Sequence, residues 1–524
     1  IFPVSKPGTR TPEEQLKRKD AQIVKLEHQL YWAELKIKKL EETLRQERIA
    51  RFGIRSEKLS DLQLALLDEE PSVTADEVSA EAERATLPET GAAPAPAMAG
   101  KPEAEQKKHP GRQRLPAHLP RKEETIACPA EACTCKHCGQ QTAVIGYDES
   151  EQLDVEPAKY FVRVIKREKR ACRDCEKRSV TAAPLPARIV EKGLASDRVV
   201  VDTVIQKYCD HLPLYRQESI LRRETGLEIS RTTLDGWVMH VGDLLSPVRE
   251  AMRRDLLAGS YIQADETTVL VRTKEKPGSH HEGYLWQFGR PGGEAVFEFA
   301  LGRGREVAAR FLGQWQGKLQ TDAYVGYEKI GGPNLVHYGC FAHARRYFVD
   351  AVKVHKDDAE AANMVVRMDA LFTVERGAVG LGLTGAAKAA FRREHGQSWL
   401  EEMRERALWL SPQTLPKSKL GEALHYLLKQ WDRLERCFYD PEVELSNNLA
   451  ENSMRPWALG RKNWLQVGSV SAGPKVAAIA SVVESCRRLQ IPVREYLLDV
   501  LPGLDRRPKS QVVDLTPARW ATAR

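Results

Sequence analysis

From residue 260 onward the chain alternates short apolar strands with helices in an order that leaves few folds open. Tyr261-Ile262-Gln263-Ala264-Asp265 reads as a short buried strand that reaches an acid and continues through 267–272. Residues 283–288 and 295–300 follow as two more strands, and 305–316 as a helix. A fourth strand, 317–322, also ends in an acid, Asp322. A fifth, 334–339, leads into a helix over 341–354. Three strands, a helix, a strand, a connection, a strand and a helix is the order of a ribonuclease-H-like fold.

Chemistry gives a reason for acids at those places. Carboxylates at the ends of adjacent central strands can share two divalent cations roughly 3.5–4 Å apart, one activating an attacking oxygen and one stabilising a leaving oxygen. Mg²⁺, or Mn²⁺ in its place, favours oxygen ligands and keeps several waters, so few protein acids are needed. A third acid must come from a later helix. The stretch Ser446-Asn447-Asn448-Leu449-Ala450-Glu451-Asn452-Ser453-Met454-Arg455 supplies one. As a helix it gathers Asn447, Asn448, Glu451 and Arg455 on one polar face, a setting that the nearby Glu442 and Glu444 lack. Gly460-Arg461-Lys462-Asn463-Trp464 follows as a basic cluster suited to phosphates. Arg455, Arg461 and Lys462 are therefore candidate DNA contacts.

Between Asp322 and Glu451 lie 128 residues, more than the sheet needs. Segments 357–376, 386–394, 398–410 and 419–438 read as helices, an insertion serving as scaffold or as a DNA-facing or dimer surface. Just past the fifth strand, His343, Arg345 and Arg346 could meet phosphate or simply pack a helix start.

The front of the chain is organised differently. Over 11–50, Ile23, Leu26, Leu30, Ala33, Ile37, Leu40 and Leu44 recur at alternating spacings of three and four, the seam of a coiled coil and a route to a homodimer or higher oligomer. Residues 61–106 carry eleven acids against two bases, a net of −9, within a chain of net +7. The remainder is strongly basic, as suits a polyanion partner such as double-stranded DNA. Ala- and Pro-rich composition makes this stretch a disordered linker. It ends in a basic arm, in which Arg112 and Arg114 could enter a DNA groove.

Cys135 and Cys138, then Cys172 and Cys175, form two Cys-x-x-Cys pairs. That spacing suits one structural Zn²⁺ held by four sulfurs in a ribbon, with 160–165 a strand leading into the second pair. Beyond it, 214–224, a turn through Gly226 and 230–240 read as a helix-turn-helix. Ser230 is its N-cap, and Arg231, Thr232 and Thr233 stand at the front of the second helix.

The whole is a multidomain α/β protein. We expect a coiled coil over 1–60, linker and arm over 61–124, zinc ribbon over 125–190 and a helical DNA-binding domain over 191–255. The catalytic core takes 256–354, the insertion 355–440, the Glu451 helix 441–470, and C-terminal helices and tail 471–524. No apolar run is long enough to span a membrane. The N-terminus lacks a secretory pattern, which makes a cytoplasmic location the expectation. The chain opens on Ile1 rather than Met, so its natural start is expected to lie upstream.

Taken together, Arg51-Phe52-Gly53-Ile54-Arg55-Ser56-Glu57-Lys58-Leu59, the four-cysteine segment, Ala264-Asp265-Glu266-Thr267, Thr321-Asp322-Ala323-Tyr324-Val325-Gly326-Tyr327, Gly339-Cys340-Phe341-Ala342-His343-Ala344-Arg345-Arg346 and Asn447-Asn448-Leu449-Ala450-Glu451 with 460–464 resemble the Insertion Sequence sixty-six family of bacterial DDE transposases. The resemblance covers nearly the whole length. Two positions depart from the family pattern: Asn452 stands where Arg is usual, and Ala323 where Gly is usual. The resemblance implies that Asp265, Asp322 and Glu451 are a catalytic triad for metal-dependent DNA cleavage and strand transfer. It also implies binding of the element's ends and small accessory proteins from the same element. A nuclease that cuts without joining, and a transposase-derived DNA-binding regulator, are the competing expectations.

Overall fold

The computed structural model describes residues 159–171, 180–273, 280–355 and 357–524. The expected coiled coil, acidic linker, basic arm with Arg112 and Arg114, and cysteines 135, 138, 172 and 175 lie outside them. The chain divides into two compact units, 88–183 and 1–87 with 184–524.

In the smaller unit, β1 (Lys169–Ala171) runs antiparallel to β2 (Val180–Ala182), with Arg170 opposite Thr181. The 160–165 run is not a strand. Phe161 and Val162 are 78% and 88% exposed and the backbone there has no regular pairing. Its β-branched and aromatic residues favour extended backbone, but a strand also requires a neighbour to take its N–H and C=O groups.

Among the described residues, the larger unit opens with α1 (Asp197–Tyr208), α2 (Leu214–Thr225) and α3 (Arg231–Leu257). Gly226, at φ 71°, closes α2 in the left-handed conformation that glycine takes without strain. Ser230 caps α3, its Oγ accepting the Thr233 N–H at 3.2 Å. The helix–turn–helix order is as expected, but α3 continues far past His240. The apolar stripe begun by Leu234 and Val238 runs on through Val241, Leu245, Val248, Met252 and Leu256, and all are buried. Arg231, Thr232 and Thr233 are exposed at its front.

The sheet follows. β3 (Tyr261–Arg272), β4 (His280–Gly289) and β5 (Ala295–Ala300) form an antiparallel meander. After α4 (Arg305–Leu312), β6 (Lys318–Gln320) and β7 (Val336–Tyr338) add on the other side of β3, parallel to it, giving the order β5-β4-β3-β6-β7. Odd and even residues of β3 face opposite sides. Ile262 and Ala264 join a core built with α3, whereas Tyr261 joins a second core.

That second core belongs to α5 (Phe341–Val354), α6 (Ala359–Gly380), α7 (Gly385–Leu410), α8 (Lys419–Lys429) and α9 (Trp431–Tyr439). The expected insertion therefore packs together with α5. The two helices expected at 386–394 and 398–410 are one. Gly396 does not break it but lets Phe438 approach, since a Cβ there would meet the ring at 2.8 Å. The helical excursion leaves and rejoins at one place: the Phe341 N–H donates to the Leu445 carbonyl at 2.9 Å.

Next come α10 (Asn448–Trp464), β8 (Gln466–Val467), which pairs with the far end of β3, and α11 (Gly473–Arg488). The first of the expected C-terminal helices, α11, is buried along most of its length against α3 and β5. Its Ser481 and Ser485 hydroxyls accept the N–H groups of Phe297 and Ala295 at 2.8 and 3.0 Å. The open edge of β5 is thus closed by side chains.

Candidate functional site

β3 and β6 share three paired positions, the last being Gln263 opposite Gln320. Asp265 and Asp322 each stand two residues further along. Neighbouring strands lie about 4.8 Å apart, so acids at matching offsets meet at one end of the sheet. Asp322 lies past the end of β6, where its Oδ1 accepts the Tyr324 N–H at 2.9 Å and fixes the turn.

Three buried polar side chains brace this end of the sheet. Tyr261 donates its hydroxyl to Gln320 Oε1. Gln263 Nε2 reaches Tyr261 Oη at 2.9 Å, Gln320 Oε1 at 3.0 Å and the Ser446 carbonyl at 3.0 Å. Gln320 Nε2 takes the carbonyls of Gly339 and Glu444 at 2.9 and 2.7 Å. Residues 444–446, just before α10, are thereby strapped to β3. The sequence reading missed these three residues, whose only signal was polarity at positions that should be buried.

From that strap α10 starts, burying Ala450, Met454 and Trp457 and leaving Glu451 half-buried on another face. Glu451 reaches the neighbourhood of Asp265. Burial, then Glu451, Glu266 and Asp322, push the Asp265 carboxyl well above the usual range, with His343 opposing. The Glu451 carboxylate lies 3.2 Å from Arg346 Nη2 and 3.4 Å from His343 Nε2. Burial pulls the His343 imidazole down, but Cys340 and Glu451 outweigh it and lift it to about 9. Glu451 thus sits between the Arg346 guanidinium and the His343 imidazole.

Glu266, beside Asp265, has its side chain almost wholly buried. It receives Tyr327 Oη at 2.6 Å and Arg303 Nε at 2.8 Å, and Arg303 lies 3.8 Å over the Tyr324 ring. Burial raises its carboxyl, against the pull of those hydrogen bonds. This cluster holds the Asp322 turn from below, and it too was missed.

Among the described residues, no group of three or more His, Cys, Asp or Glu side chains is gathered as a finished metal cage. The donor set nevertheless suits a hard divalent cation. It is all oxygen, it crowds carboxylates around Asp265, and Glu451 Oε1 is buried without a hydrogen bond. Positive charge placed there would offset both the burial and the carboxylate repulsion that raise the Asp265 pKa.

The expected DNA contacts separate into open and engaged groups. Arg455 and Lys462 are exposed, as are Arg231, Thr232 and Thr233. Arg345 is buried and grips Asp369 at 2.6 and 3.2 Å, an internal tie rather than a phosphate contact. Arg461 is half-buried and donates to the Thr267 and Thr268 hydroxyls at 3.3 and 2.7 Å and to the Thr268 carbonyl, pinning α10 to β3. No helix of the described residues is long and apolar enough to cross a membrane.

Comparison with known proteins matches residues 192–475 to the model of the Transposase IS66 family. Residues 39–123 match the model described as Transposase C of IS166 homeodomain, and 132–176 the zinc-finger binding domain of transposase IS66. Two uncharacterized proteins of Sinorhizobium fredii are similar along most of their length. One, y4qI, is 31% identical over 89% of this chain and 86% of its own. The other, y4hP, is 29% identical over 94% and 89%. Among solved structures, a chain of the Drosophila P element transposase strand transfer complex aligns over 56% of this chain and 93% of its own. Its 10% identity and TM-score of 0.26 are too low to bear on the fold. On the match of its central 284 residues and the likeness to y4qI, the chain belongs to the Transposase IS66 family.

Proposed function

We propose that this transposase cuts DNA at the ends of its element and joins them to target DNA at a site made by Asp265, Asp322 and Glu451, on a ribonuclease-H-like core. The observation that carries the reading is the equal offset of Asp265 and Asp322 beyond the Gln263–Gln320 pair, with Glu451 brought to Asp265 from α10. Asp265, Asp322 and Glu451 would hold the cations, Mg²⁺ or Mn²⁺. Bound there, such ions supply Lewis acidity to the attacking and leaving oxygens of a phosphodiester. The chain's own part is to fix those oxygens in line and to neutralise phosphate charge. Arg455 and Lys462, exposed on and beside the face of Glu451, hold the scissile strand. Arg346 and His343 balance Glu451 until the site fills.

The four cysteines 135, 138, 172 and 175 fall inside the matched zinc-finger segment, and we assign them one structural Zn²⁺. The exposed front of α3 and the basic arm are the DNA-reading surfaces, in a protein that works as a dimer or larger assembly.

The test is to incubate the chain with labelled element-end DNA, a target plasmid and Mg²⁺. Joined products are the expected result. Nicks without joining would make it a nuclease, and binding with neither would make it a regulator. Activity that survives Asp265→Asn would overturn the assignment of the site.

A further inference from the structure

Asn447 is wholly buried, yet neither its Oδ1 nor its Nδ2 has a hydrogen-bond partner. It occupies the N-cap of α10, where an Asn side chain ordinarily accepts an N–H from the first turn, and it makes no such bond. A buried amide left open on both sides carries its full desolvation cost, which an apolar side chain of similar volume would avoid. Capping does not explain it.

Its position does. Tyr261, Gln263 and Asp265 lie on one face of β3. The strap runs alongside that face in step: the Glu444 N–H donates to Tyr261 Oη at 3.2 Å, and Gln263 Nε2 to the Ser446 carbonyl at 3.0 Å. Residue 447 follows directly on that strap, at the foot of α10. One helical turn on, Glu451 sits on the same side, its N–H on the Asn447 carbonyl at 3.2 Å. Glu451 Oε1 is likewise buried without a hydrogen bond. An amide without a hydrogen bond and a carboxylate oxygen met only by the His343 ion-pair contact at 3.4 Å thus stand one turn apart at the start of α10, and that carboxylate is a neighbour of Asp265.

We propose that Asn447 is a further ligand of this site, its carboxamide oxygen coordinating the divalent cation held by Asp265 and Glu451. This rests on the reading of those two acids as ligands. A neutral oxygen suits the place, because it adds a donor to a cluster already crowded with negative charge.

The experiment measures Mn²⁺ affinity of the full chain without DNA, alongside its metal-free melting temperature. Mn²⁺ prefers oxygen and nitrogen donors, which limits interference from the cysteines. Wild type should bind, and Asp265→Asn should not. Asn447→Leu should weaken Mn²⁺ binding about ten- to a hundredfold while the metal-free melting temperature stays the same or rises. Wild-type affinity in that variant, or a fall in its metal-free stability, overturns the proposal. Asn447→Asp keeps an oxygen in place and should bind at least as tightly as wild type; weaker binding overturns the proposal even if the Leu variant fails to fold. If wild type and Asp265→Asn bind Mn²⁺ alike, the site reading itself fails and the Asn447 assignment with it.

Discussion

Arg392 lies edge to edge with Glu375, its Nε and Nη2 2.7 and 2.8 Å from the two carboxylate oxygens, and it is 1% exposed. Its remaining donors take the carbonyls of Cys437, Asp440 and Val443 at 2.8, 2.8 and 2.9 Å. One side chain from α7 thus ties the exit of the helical excursion to its interior. Arg392→Met would leave Glu375 and three carbonyls facing an apolar group, with only Lys388, 2.6 Å away, still paired to that carboxylate. We predict a loss of about 3–5 kcal/mol in denaturant unfolding. The exposed Arg376→Met should change stability by less than about 0.5 kcal/mol.

Gln320→Leu tests the brace at the sheet end. It strands the Glu444 carbonyl and leaves the Gly339 carbonyl only the weak Cys437 thiol donor, at a cost of about 1–3 kcal/mol. Strand cleavage should fall by about ten- to a hundredfold, because Glu451 loses its footing, while end-DNA binding is retained. Binding and cleavage falling together would place the residue elsewhere in the mechanism.

The two basic residues of 460–464 should behave differently. Lys462→Ala and, on the preceding turns, Arg455→Ala should each lower the salt slope of DNA binding by about 1. Arg461→Ala should leave that slope nearly unchanged and lower the unfolding midpoint instead, since its guanidinium is engaged with Thr267 and Thr268. Slopes measured across a salt series separate the outcomes.

Glu294 gives a pH signature. It is 7% exposed and receives the Ala518 N–H at 2.8 Å, but burial outweighs that bond and lifts its pKa from 4.5 to about 7. The folded state therefore favours the protonated acid. Its contribution is whole below about 4.5, declines as pH rises toward 7 and is gone above it, a span on the order of 3 kcal/mol. Glu294→Gln can still accept the Ala518 N–H. It should be more stable than wild type at pH 8 and equal to it near pH 4, as read from melting curves at the two pH values.

Much of the sheet was legible because strands announce themselves by apolar runs and acids interrupt them. The offset of Asp265 and Asp322 could be read from two short segments. Contacts over long sequence distance could not. Gln263 and Ser446 meet across 183 positions, and nothing local marks either as half of a pair. Arg345 and Arg346 are neighbours of equal charge with opposite fates, because a helix turns about 100° per residue; one enters the core and the other reaches Glu451. Residues of α11 fall in the expected C-terminal helices, but their burial could not be read because the strand that its serines close is nearly two hundred positions away. The length of α3 was underread for the same reason, since the face that buries its second half comes later in the chain.

The meeting of Phe341 and Leu445 has a consequence for how such a chain can change over evolutionary time. A detour whose two ends share a hydrogen bond is a graft port. What is spliced between them can lengthen, shrink or be exchanged, since the entropy of closing a loop grows only logarithmically with its length. The acids on the sheet and the helix that follows would keep their places through such exchanges. A lineage could thus alter what its recombinase touches, or how its copies meet, without redesigning its chemistry.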